Sequence, residues 1–86
     1  MPEISRFYGI IIKLYAKEHN PPHFHAEYQE FVAEYSIKEL EIIAGGLPNR
    51  AHSLVLEWAF KYRQELAENW ELLQQKKTPK KIEPLK

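Results

Sequence analysis

The chain has 86 residues, 44% of them hydrophobic and 13% aromatic, no cysteine, and a formal net charge of zero. This length gives one domain, folding to hide about two-thirds of the unfolded surface, and the composition is too apolar for a disordered chain. A balanced charge excludes a general basic field for nucleic acid; the lack of cysteine excludes disulfides and thiolate zinc sites and fits a reducing cytoplasm.

No apolar run approaches the roughly 20 residues needed to cross a bilayer, and the N-terminus lacks a signal-peptide pattern. The expectation is a soluble cytoplasmic domain.

The first segment, "RFYGIIIKLYAK", is β-rich, with Ile10–Ile12 a β-branched run. Alternation sets Phe7, Ile11 and Lys13 against Tyr8, Ile10, Ile12 and Leu14. Both sets are largely apolar, so the segment reads as one central strand, with Gly9 marking a bulge or a close approach. "EHNPPH" breaks it, because Pro21 and Pro22 lack N–H groups and Asn20 is pushed towards extended geometry.

The next run alternates cleanly. Phe24, Ala26 and Tyr28 fall on one face; His23, His25 and Glu27 fall on the other. After Gln29-Glu30, Phe31, Ala33, Tyr35 and Ile37 alternate with Val32, Glu34 and Ser36, which predicts a hairpin. "LEIIAG" is a fourth short strand, ended by Gly45-Gly46 and Pro48.

From Asn49 the period changes. Ala51, Leu54, Val55, Trp58, Tyr62, Leu66, Trp70 and Leu73 recur at spacings of three and four, the stripe of one amphipathic helix with Asn49 as its cap. It spans about residues 50 to 75, roughly 39 Å. Trp58 and Trp70 lie on the stripe and read as core, with an interface anchor the alternative for Trp70 near the far end. The expected fold is α+β: a mostly antiparallel sheet of about four strands packed on one long C-terminal helix, residues 1–75 forming one domain. Residues 76–86, "KKTPKKIEPLK", form a basic tail with five Lys and one Glu, solvated or free to meet an acidic partner or a polyanion.

Three of the four histidines lie between residues 19 and 25. A metal site needs three or four ligands. His23 and His25, two apart on a strand, point the same way; His19 completes a set if the proline turn folds back, and Glu18, Glu27 or Glu34 can supply an oxygen. Metal-free acid–base cleavage of RNA is the second possibility, with His23, His25 and Glu27 as catalytic groups. Arg6, Lys13, Tyr15 and Tyr28 would then meet the phosphate, and His19 and Asn20 would join them in binding. The third is a polar strand face with no chemistry. His52, off the apolar stripe, reads as solvated or near an end of the sheet rather than catalytic. Gly45-Gly46 is not a phosphate loop, and a chain without Asp offers no serine-hydrolase triad.

At full length the chain resembles a bacterial family, domain of unknown function 4160. The resemblance rests on "HNPPHFHA" (His19, Asn20, Pro21, Pro22, His23, Phe24, His25) combined with "ENWE" (Glu68, Asn69, Trp70). It implies a small stand-alone protein acting with a second small protein of another family, domain of unknown function 2442, in a toxin–antitoxin-like pair. The expectation is such a module component, acting on RNA through the two-His face and without a cofactor. The alternatives are a non-enzymatic binding module, including a homo-oligomer, and a metal protein.

Overall fold

A computed structural model describes residues 3–15 and 19–86. The fold is α+β, with a five-stranded antiparallel sheet in the order β1-β2-β3-β4-β5 and two helices. The strands are β1 Glu3–Phe7, β2 Ile10–Lys13, β3 His23–Tyr28, β4 Phe31–Ser36 and β5 Ile42–Gly45. The helices are α1 Asn49–Lys61 and α2 Arg63–Gln74.

Two expectations need correction. The first apolar segment is a hairpin rather than one strand, which raises the count from four strands to five. Tyr8 (φ 50°) and Gly9 (φ 78°) both adopt positive φ, the geometry of a two-residue hairpin turn that matches the natural twist of the strands. The turn brings Phe7 opposite Ile10, so both side chains enter the core. The continuous apolar pattern concealed the reversal because a tyrosine, rather than Asn or Asp, precedes the glycine.

The single helix is two. Tyr62 leaves helical geometry (φ −113°, ψ 24°) between α1 and α2. An unbroken helix of roughly 39 Å would outrun the fold, whose longest extent is 34 Å. Breaking it keeps both halves of the stripe on the core: Ala51, Val55 and Trp58 from α1, and Leu66, Trp70 and Leu73 from α2, are all buried. The cap of α1 is Pro48, with no side-chain cap bond, and Asn49 is the first helical residue.

The β3 alternation is realised. Phe24 and Ala26 are fully buried, and the Phe24 ring stacks on Tyr35 at 5.2 Å. Trp58 packs against Phe7 and Phe24 at 5.3 and 6.1 Å. The Tyr35 hydroxyl hydrogen-bonds His52 Nδ1 at 2.8 Å, and the two rings stack. His52 is therefore tied to the packed face instead of being solvated. Burial pushes the Tyr35 hydroxyl up to about 12.

Part of the basic tail is held down. Ile82 is buried, and its N–H donates to the Ile4 carbonyl at 2.8 Å, along the outer edge of β1. The Asn69 side chain donates to the Lys80 carbonyl and accepts from the Lys80 N–H, at 2.8 and 2.9 Å. Trp58 Nε1–H donates to the Glu83 carbonyl at 2.8 Å. These bonds satisfy a buried amide and a buried indole that would otherwise each cost about 1–3 kcal/mol.

Candidate metal centre

The central strand β3 carries the cluster, and its pairing on both sides decides what meets the histidines. Lys13, His25, Glu34 and Ala44 are cross-strand partners in one row through β2, β3, β4 and β5. Side chains in such a row share a face about 5 Å apart. His23 starts β3 and pairs with Ser36, two residues from the row on the same face.

Among the described residues, His23, His25 and Glu34 form a set of metal-ligating type, each offering one ligand atom within 4.8 Å of the others. Glu34 is the third member; the sequence spacing suggested His19. His19 is exposed and lies outside the set. Asn20 is likewise exposed. Glu18 lies outside the described residues. Only the β3–β4 register, which no spacing along the chain reveals, selects Glu34 over Glu27.

His23 is fixed from three directions. Its side chain is 7% exposed, and the Trp70 ring lies 5.3 Å away, centre to centre. Nδ1 is 2.8 Å from the Pro21 carbonyl oxygen, so Nδ1 carries the hydrogen and donates it. In the neutral ring Nε2 then presents a lone pair, and Nε2 lies 3.7 Å from Glu34 Oε1. A proton on Nε2, or a cation between the two groups, makes this approach attractive.

His25 is half-buried, its ring 5.3 Å from the His23 ring and 4.6 Å from the Tyr15 ring, which meets it edge-on. Donors in a tetrahedral zinc site sit roughly 3.3 Å apart. The cluster therefore needs only modest closure, and Glu34, 36% exposed, has room to swing. A His ligand normally donates its second nitrogen to a carbonyl or carboxylate, which sets the tautomer. The Pro21 carbonyl does this for His23.

The groups assigned to phosphate contact are arranged differently. Lys13 Nζ binds Glu27 Oε2 at 2.9 Å, and this hydrogen bond raises the Lys13 pKa. Arg6 meets both oxygens of Glu3, at 2.7 and 3.0 Å, and that bond lowers the Glu3 pKa and raises that of Arg6. Glu27 thus faces Lys13. Tyr28 is half-buried and packs against the core cluster. Trp70 is 3% exposed, core as its place on the stripe implies, and forms a wall of the His23 pocket; the alternative of an outward anchor is not realised.

The profile of a domain of unknown function, DUF4160, matches residues 9–71. The chain belongs to the DUF4160 family. The matched span holds β2 to β5, α1, the three clustered side chains and Trp70, while β1 and the tail strap fall outside it. Neither a curated protein nor a solved structure matches the chain. Among the described residues, no helix is long and apolar enough to cross a membrane.

Proposed function

We propose that this DUF4160 protein is a small divalent-metal-binding protein whose site is His23 Nε2, His25 and the Glu34 carboxylate. The observation that carries the reading is the His23 Nε2–Glu34 approach of 3.7 Å with the Pro21 carbonyl accepting from Nδ1. Two imidazoles and one carboxylate suit zinc or ferrous iron. Three protein ligands leave a further position for water, which a bound zinc activates at neutral pH.

The metal reading is favoured over metal-free RNA cleavage by the same geometry. Arg6 and Lys13 are each paired with a carboxylate, which leaves them poorly disposed to take up a phosphate. The nearly buried His23 is a better ligand than an acid–base group for a large polyanion.

The cellular setting rests on the family resemblance: a cytoplasmic component of a toxin–antitoxin-like pair with a small cognate protein. Inducing the protein alone and with its neighbour tests this. Arrested growth relieved by co-expression supports it; unimpaired growth without co-purification removes it. The metal reading has its own test, native mass spectrometry and calorimetry of tag-free protein with zinc or ferrous ion. One ion per chain is expected, with affinity falling at least tenfold in His23→Ala and Glu34→Ala. No ion in the presence of excess metal, or an affinity indifferent to both substitutions, overturns the reading.

A further inference from the structure

Where α1 gives way to α2 the chain reads Phe60-Lys61-Tyr62-Arg63, aromatic and cation in turn. Tyr62 is the anchored member. It packs on Trp58 at 5.9 Å, ring centre to ring centre, and so fixes where the other three stand. Those three are exposed. Phe60 lies off the apolar stripe of α1, and at 73% it is the most exposed large hydrophobic among the described residues. Both rings carry a cation: the Arg63 guanidinium carbon is 5.8 Å from the centre of Phe60, and Lys61 Nζ is 5.5 Å from that of Tyr62.

Arg63 also lines a cleft of about 330 Å³, together with Pro22, Ile37, Lys38 and Ala67. Three apolar residues and two cations make up this lining, with no carboxylate among them. Arg6 and Lys13 are paired with glutamates, whereas Lys38, Lys61 and Arg63 have no carboxylate within ion-pair distance among the described residues. A bare anion would meet both cations and leave the apolar walls unfilled. A neutral apolar body would fill the walls and leave both charges unanswered. The lining therefore suits an anion joined to a flat apolar body. Outside the cleft, Phe60 under the Arg63 guanidinium offers a second flat surface of the kind on which nucleobases stack, beside cations that take up phosphate.

We propose that the Lys38–Arg63 cleft and the Phe60 ring form a binding site for single-stranded nucleic acid, with a phosphate between the two cations and a neighbouring base on Phe60. An acidic peptide matches the charge but has no use for the exposed ring. A duplex hides its base faces in its own stack. A strand fits better than one nucleotide because Phe60 lies outside the cleft lining, so the two places take successive units. The formal net charge is zero, so this local patch works without a general basic field, and binding is modest and salt-sensitive. The site uses none of the three metal-ligating side chains, so the inference stands or falls separately from the metal reading.

The experiment is fluorescence anisotropy of a labelled oligouridylate of about 12 nucleotides, titrated at low salt with the tag-free full chain in the presence of chelator. Micromolar binding is expected, weakening with salt at a log–log slope of about −2, from about 0.7 for each of three phosphate contacts. Phe60→Ala should weaken binding at least tenfold, while Phe60→Tyr keeps it within about threefold, both with unchanged melting. Lys38→Gln and Arg63→Gln should each weaken binding and flatten the slope by about 0.7. Lys77→Gln, which removes an exposed cation of the tail, should alter neither. No binding at millimolar protein, indifference to Phe60→Ala, or an equal loss in Lys77→Gln overturns the inference. So does polyglutamate or uridine monophosphate bound as tightly as the oligonucleotide, which assigns the cleft to an acidic protein or to a free nucleotide.

Discussion

Two histidine–tyrosine contacts on opposite faces of one sheet use the same residue types for opposite ends. On the helix-covered face, the Tyr35 hydroxyl and His52 Nδ1 share a hydrogen bond of 2.8 Å and the rings stack, so this ring nitrogen is matched by a neutral group. On the other face, Tyr15 meets His25 edge-on, and His23 Nε2 lies 3.7 Å from the Glu34 carboxylate. The first arrangement is closed within the fold, ring against ring. The second gathers electron-rich groups that a cation would bring together. Histidine count alone distinguishes nothing; what each nitrogen faces does.

The comparison breaks most visibly on the packed face. Trp58→Ala removes the ring that joins Phe7, Phe24 and Tyr62, and frees the Glu83 carbonyl. A loss of about 3–5 kcal/mol is expected in urea unfolding, much of the stability of a small domain. Any zinc affinity should survive in the fraction that remains folded, since none of the three ligands rests on Trp58.

The open face gains where the packed face cannot. Zinc at about 100 times its dissociation constant should stabilise the fold by about 2.7 kcal/mol, roughly 10–20 °C in thermal melting. His23→Ala and Glu34→Ala should abolish the gain, while His52→Ala leaves it in place. Equal gains in all variants would mean that zinc binds elsewhere.

Alkaline pH probes the packed pair. An unfolded tyrosine loses its proton near pH 10, whereas folded Tyr35 holds its own to about 12. Between these values the unfolded state binds fewer protons, so stability falls as pH rises and is whole below pH 10. The fall attributable to Tyr35 is about 2–3 kcal/mol. Tyr35→Phe should flatten that limb of the stability–pH curve; an unchanged limb would refute burial as its cause.

The smallest effect concerns Glu27. Glu27→Gln loosens Lys13 on a partly exposed surface and should cost about 0.5 kcal/mol or less, with zinc affinity kept within about threefold. A loss comparable to that of Glu34→Ala would return Glu27 to the centre of the site.

Period-two alternation made β3 and β4 legible, and with them the shared face of His23 and His25. The three-and-four stripe likewise marked Val55, Trp58, Leu66 and Trp70 as buried. What stayed hidden depends on residues distant in sequence. Glu34 becomes the third member only through its pairing with His25 across the hairpin. The buried Asn69 finds its partner eleven residues on in the tail, and His52 finds its own seventeen residues back in β4. The turn at Tyr8-Gly9 and the break at Tyr62 were masked by residues that fit the surrounding apolar pattern.

The most direct test of the metal centre is long-range proton–nitrogen correlation of the His23 ring during zinc titration. Nδ1 should keep its hydrogen, held on the Pro21 carbonyl, while Nε2 shifts to a metal-bound position at one equivalent of zinc. An Nε2 resonance indifferent to excess zinc, or a response at Nδ1 instead, would contradict the site.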